Sequence, residues 1–129
     1  MAVLLDTTVL IDVLRGRPAA GRLEELYGRG EMPFVCSINV EELYRGLRPA
    51  EARNAEALVH GLHLAPLGKP EGKLAGTWRR SFAGRGVTLS QADCLIAAAA
   101  VGVGARLATG NPKDFPMKNL RVEHWPVGR

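Results

Sequence analysis

Four carboxylates and a few hydroxyls are the side chains here whose types and positions suit chemistry. Asp6 ends the apolar run Val3-Leu4-Leu5 and is followed by Thr7 and Thr8. Glu42 falls off the apolar stripe that Val40, Leu43, Tyr44 and Leu47 make at helical spacing. Asp93 stands three residues after Ser90, at the head of the apolar run Cys94 to Val101. Asp114 follows the run Ala105-Arg106-Leu107-Ala108-Thr109, with Asn111 and Lys113 between. Acidic groups thus recur just after predicted strands or early in the helices that follow, which in an open α/β sheet is the edge where ligands bind. Carboxylates gathered at one place repel, and some take up protons unless a cation joins them. An all-oxygen set favours Mg²⁺ or Mn²⁺ over zinc, and such a site activates water and stabilises charge developing on a phosphodiester. Plainer roles stand beside these. Asp6 also suits a turn or cap, Glu42 a solvated helix face, and Asp93 the last place of a Ser-x-x-Asp capping box. Against the last, a carboxylate at the end of a buried helix needs a strong partner.

The elements that must hold these acids follow from the pattern. Val3 to Leu5 is apolar enough for a strand buried on both faces, and Thr7 or Thr8 offers an N-cap hydroxyl to a helix carrying Val9, Leu10, Val13 and Leu14. Arg15-Gly16-Arg17-Pro18 breaks that helix, and a second covers Ala19 to Tyr27. Pro33 to Cys36 is a second strand, with Ser37 as N-cap of the helix bearing Glu42. A helix from Pro49 to His60, a short strand near Leu62 to Ala65 and a helix from Glu71 to Phe82 lead to the buried helix after Ser90. Ala105 to Thr109 and Leu120 to Glu123 complete the strands, the last as an edge. The order predicts an α/β fold, a three-layer α/β/α sandwich with a mostly parallel sheet, and the 129 residues suit one domain over 1–129.

Composition narrows the class. Hydrophobic residues make up 47% and aromatics 5%, so the core is aliphatic. No run reaches membrane-spanning length and no secretory signal opens the chain. Cys36 and Cys94 each lie in an apolar element and read as buried thiols in a reducing, cytoplasmic setting. A net charge of +4 biases the surface toward anionic partners such as nucleic acid.

The pieces LLDTTVLID, SINVEELYRGL, LSQADCLIAAAA and LATGNPKDF, in that order, resemble the PIN domains, and most of all the VapC-type ribonuclease toxins of toxin–antitoxin pairs. The resemblance runs from Val3 to Phe115. It implies an α/β/α fold, a metal-dependent endoribonuclease with an acidic Mg²⁺ or Mn²⁺ site, RNA as substrate, a small cognate antitoxin as partner, and a homodimer. Asp6, Glu42 and Asp93 match the family's three main acids, Thr8 a polar position beside the first, and Thr109 a hydroxyl position below the last. Where many relatives carry a further acid this chain has Asn111, while Asp114 occupies an often acidic position three residues on. Either of the two completes the site. A homodimer would also employ Leu23, Leu26, Leu58 and Val59, apolar helix residues that a lone domain need not all bury.

Other signals carry less. His60 and His63 have a ligand-like spacing without further ligands. Asp12 reads as a surface residue of the first helix, and His124 and Trp125 as packing against an edge. Arg15, Arg17, Arg45 and Arg48 suit either a solvated face or an RNA backbone. Two rival functions remain: a non-catalytic PIN-like scaffold that binds RNA or protein, favoured by Asn111, and a phosphatase of another acid-site fold. Thr8, standing where the second Asp of such a phosphatase belongs, argues against the latter.

Overall fold

The computed structural model describes residues 1–128. Five strands, β1 (Ala2–Leu5), β2 (Met32–Val35), β3 (His63–Leu64), β4 (Arg106–Thr109) and β5 (Val122–His124), form one sheet in the order β3-β2-β1-β4-β5. The expected mostly parallel sheet is parallel at every pairing. Each crossover lies on a face. Between β4 and β5, where no α-helix intervenes, buried Phe115, Met117 and Leu120 anchor the connection on one side.

Six α-helices cover the sheet: α1 (Thr7–Leu14), α2 (Pro18–Gly28), α3 (Ser37–Arg45), α4 (Ala52–His60), α5 (Lys69–Ala83) and α6 (Gln91–Gly102). Strand alternation divides the core in two. Val3, Leu5, Val35 and Ala108 face α1 to α4 and Trp125, whereas Leu4 and Leu107 face α5 and α6. Ala97, Ala98, Ala99 and Ala100 are all buried, which lets α6 lie close against both the sheet and α5.

Several local expectations shift. Asp6 itself caps α1, its Oδ1 accepting from the Thr7 N–H at 2.9 Å, so both threonines lie inside the helix. Cys36, not Ser37, is the N-cap of α3, because the Asn39 Oδ1 accepts from the Cys36 N–H at 2.9 Å. Tyr44 leaves the apolar stripe and is exposed, since α3 ends at Arg45 and its outer turn has nothing above it. Asp12 is no surface residue. It is 2% exposed, and its two oxygens accept from the Ala19 N–H at 2.9 Å and the Gly128 N–H at 2.8 Å. It therefore supplies from α1 the cap that Arg17 cannot give α2. Leu23 and Leu26 are buried within the chain's own core, with Leu58 and Val59 packed against it, so they do not mark a dimer face.

Candidate active site

The strand order reverses between β1 and β4, because β2 and β3 build outward on one side of β1 and β4 and β5 on the other. Loops leaving β1 and β4 diverge there, opening a crevice at the carboxyl edge of the sheet. Asp6 follows β1 at this point, and its backbone N–H still bonds the Ala108 carbonyl of β4 at 2.9 Å. Its carboxylate is 6% exposed. Thr109, the last residue of β4 and fully buried, donates to Asp6 Oδ2 at 2.7 Å. The expected supporting role of Thr109 thus has a direct contact. Thr8 is looser: its Oγ1 lies 3.5 Å from Asp6 Oδ2 and accepts from the Gly110 N–H at 3.1 Å, tying the loop after β4 to α1.

Glu42 comes from α3 and is half-buried rather than solvated. Its Oε1 accepts from the Thr7 hydroxyl at 2.6 Å, and Thr7 Oγ1 in turn accepts from Asn39 Nδ2 at 3.2 Å. Asn39 is fully buried. Neither Asn39 nor the Thr7–Glu42 contact was expected, although a polar residue three places after Cys36 has the spacing of a capping box.

Asp93 sits in the first turn of α6. The Ser90 hydroxyl accepts from the Asp93 N–H at 3.0 Å. The reciprocal bond that would close a capping box, such as Glu71 makes to the Gly68 N–H at the head of α5, is absent at Ser90 among the described residues. The Asp93 carboxylate therefore does not cap the backbone of the helix end.

The charges of these acids act on one another. Burial pushes the Asp6 carboxyl above its ordinary range, hydrogen bonds from Thr109 and Thr7 pull it back, and the charges of Asp93 and Glu42 push it further up. Asp93 is raised first by burial and then, against a lowering contact with Ser90, by Asp114 and Glu42. Asp93 is thus the member that the other three share. Among the described residues no Lys, Arg or His pairs with any of the four. Asn111 is exposed, and its backbone N–H bonds Thr109 Oγ1 at 3.0 Å while its amide side chain bonds none of the acids.

Hard oxygen donors, mutual repulsion and the lack of a cationic partner suit a divalent cation. The side chains as they stand do not form a finished cage: among the described residues no three His, Cys, Asp or Glu groups are placed to hold one ion together. Other candidates fall away. His60, at the end of α4, and His63, on the edge strand β3 against Phe34, are both exposed. Arg15 is paired with Glu51 and Arg45 with Glu41, which favours their reading as structural surface residues. Trp125 packs as expected, buried and with its backbone N–H on the Thr109 carbonyl at 2.9 Å.

Residues 3–117 match the family model described as PIN domain. The chain is 38% identical over 119 residues to Ribonuclease VapC19 of Mycobacterium tuberculosis, an alignment covering 88% of this chain and 92% of the relative. The fold is similar to that of VapBC2 from Rickettsia felis bound to a DNA fragment from their promoter, with a TM-score of 0.86, 23% identity, and coverage of 97% and 99% of the two chains. It is also similar to a toxin–antitoxin complex from Klebsiella pneumoniae, with a TM-score of 0.78, 22% identity, and coverage of 97% and 98%.

Proposed function

The chain belongs to the PIN-domain family, and from that footing we infer that it is an endoribonuclease, the toxin of a toxin–antitoxin pair, hydrolysing RNA with Mg²⁺ or Mn²⁺. One observation carries the reading beyond kinship: Asp93 is repelled by Asp6, Glu42 and Asp114 at the sheet's switch point, and among the described residues none of the four is in an ion pair, Arg45 near Glu42 being paired with Glu41. A non-catalytic scaffold has no need of that strain. Asp6, Glu42 and Asp93 would hold the metal, with Asp114 as the fourth acid because its charge acts on Asp93. Asn111 contributes at most an uncharged oxygen. When bound, the cation neutralises the cluster, activates water and stabilises charge on the reacting phosphate.

The chain's own residues do the holding. Thr109 and the Thr7 N–H aim Asp6 and offset part of the upward push of burial on its carboxyl, and Thr7 keeps Glu42 turned toward the crevice. The four acids bring no nucleophile with them, Ser90 serving as the N-cap of α6 and the Cys36 thiol being pushed up by burial, so water attacks and no covalent intermediate forms. Unstacked RNA fits such a crevice better than a duplex. The restraining partner is a small antitoxin, consistent with the toxin–antitoxin complex among the structural neighbours. Residues 1–129 act as one PIN-like unit in the cytoplasm, the two buried free thiols being suited to a reducing compartment. A homodimer follows from the family alone.

Cleavage of single-stranded RNA by the purified protein should stop with EDTA, return with Mg²⁺ or Mn²⁺, and be absent in Asp6→Ala. Activity indifferent to EDTA would overturn the metal site. Calorimetric Mn²⁺ binding that is unchanged in Asp93→Asn would leave the scaffold reading in its place.

A further inference from the structure

A second concave site lies beyond Asp114. Two residues after that acid, Pro116 enters the wall of a cavity of about 520 Å³, within the range of roughly 300–1,000 Å³ usual for small-ligand pockets. Trp78, Ser81 and Phe82 of α5 form the opposite wall, and Arg85 and Lys118 stand on its two sides. The Arg85 guanidinium lies 4.3 Å from the centre of the Phe82 ring. No acidic residue lines the cavity. Among the described residues neither Arg85 nor Lys118 has an ion-pair partner, whereas Arg15, Arg29, Arg45 and Arg106 are all matched to glutamates.

We propose that this cavity is a nucleotide subsite: an RNA strand leaving the acids at Asp114 seats a neighbouring base against Arg85 and Phe82 and its phosphate between Arg85 and Lys118. The proposal rests on the ribonuclease reading above. The chemistry is that of single-strand binding, in which aromatic and guanidinium planes stack on bases of any sequence while free cations track the backbone. Ser81 and Asn119 add hydroxyl and amide groups at the base edge. Phe115, buried between Asp114 and Pro116, fixes the cavity relative to the acids. The crevice holds the scissile phosphate, and the cavity gives the strand its register.

The test is fluorescence anisotropy with a labelled single-stranded RNA in EDTA, so that nothing is cut, over a range of salt. Arg85→Ala combined with Lys118→Ala should weaken binding about tenfold or more and flatten the plot of log affinity against log salt by about 0.7, the change for one phosphate no longer neutralised. Arg85→Lys should keep the slope and lose affinity, since charge remains and stacking goes. Arg53→Ala, on exposed α4 across the sheet, should change neither. Wild-type binding with the double variant indistinguishable in affinity and slope overturns the subsite and leaves the ribonuclease reading intact. So does a double variant impaired only in capturing the antitoxin. Wild-type protein that binds no RNA overturns the subsite, and the ribonuclease reading is then decided by the cleavage assay with Mg²⁺ or Mn²⁺.

Discussion

Thr7 joins two helices to one carboxylate, with its hydroxyl given to Glu42 and its lone pair taken by Asn39. Thr7→Val keeps the shape, removes that link and frees Glu42 to turn. Cleavage should fall roughly ten- to a hundredfold in kcat with KM little changed, as expected when a group is mispositioned by a fraction of its reach. Stability should drop by only about 1–2 kcal/mol, and Thr7→Ser should restore most of the rate. A loss confined to KM would place Thr7 in substrate binding instead. Asp93 permits the opposite test. Its carboxyl is held above its ordinary range by burial, Asp114 and Glu42, so at neutral pH the folded, metal-free chain carries a destabilising charge. Asp93→Asn should therefore melt at or above the wild-type temperature in EDTA and lose most of the rise that Mg²⁺ gives the wild type. A strongly destabilised variant in EDTA would make Asp93 a helix cap. At this scale Asp6 and Asp93 stand out in the sequence because each marks the boundary of an apolar run, whereas Glu42, off a helical stripe, stands out only through the family resemblance. Asn39 and Asp12 do not, because their partners lie across the fold and at the far end of the chain, and a helical polar residue looks the same whether it faces water or a buried amide.

Among the elements, the end of the sheet opposite the acids is held by a clamp. Arg106, the first residue of β4, reaches Glu31 before β2 at 2.7 Å, and Arg29 binds the other Glu31 oxygen at 2.7 Å. Arg106 Nε also lies 3.3 Å from Glu123 of β5, an ion pair without hydrogen-bond alignment. One guanidinium thus spans the three strands around β1 on which the carboxyl edge depends. The two arginines hold the Glu31 carboxyl down at about 2, against an ordinary 4.5. A carboxyl depressed by folding stabilises fully above its unfolded value, and that contribution is lost as pH falls through the folded one. Glu31→Gln should therefore lower the urea midpoint at neutral pH, and the gap to wild type should close as pH drops from about 4.5 towards about 2. High salt should shrink it as well, since Arg29 is more than half exposed. A gap that stays constant with pH would mean that shape, not charge, matters at this position. Strands and helices were legible from apolar runs and their breakers, and the errors lay at their ends. Thr7, Ser37 and Leu120 sit one or two places from the true boundaries, since Asp6 and Asn39 capped with side chains. The cavity beside Arg85 had no sequence signature, because its walls are residues of α5 and of the loop after β4, brought together only by the fold.

At the scale of the whole molecule, a chain of net charge +4 keeps an acidic crevice within a basic surface. On the proposed reading, that arrangement draws in a polyanion from a distance, and a cation joins the acids where the polyanion reacts. It also separates two chemistries that share a substrate. Attack by the RNA's own 2′-hydroxyl needs a general base and leaves a 2′,3′-cyclic phosphate, whereas attack by water leaves a 5′-phosphate and a 3′-hydroxyl. The usual base for the first, a histidine, is missing from the crevice: His60, His63 and His124 are all exposed and outside the four acids. Carboxylates around a cation suit the second. Mass spectrometry of RNA cut by the purified protein should then find 5′-phosphate and 3′-hydroxyl ends. Within the same assay, Asp114→Ala should slow cutting more than Asn111→Ala, because Asp114 acts on Asp93 through its charge and Asn111 carries none. Equal effects would assign the fourth place to an oxygen of either kind. Cyclic-phosphate ends would sink hydrolysis by water altogether, and the four acids would then need another role.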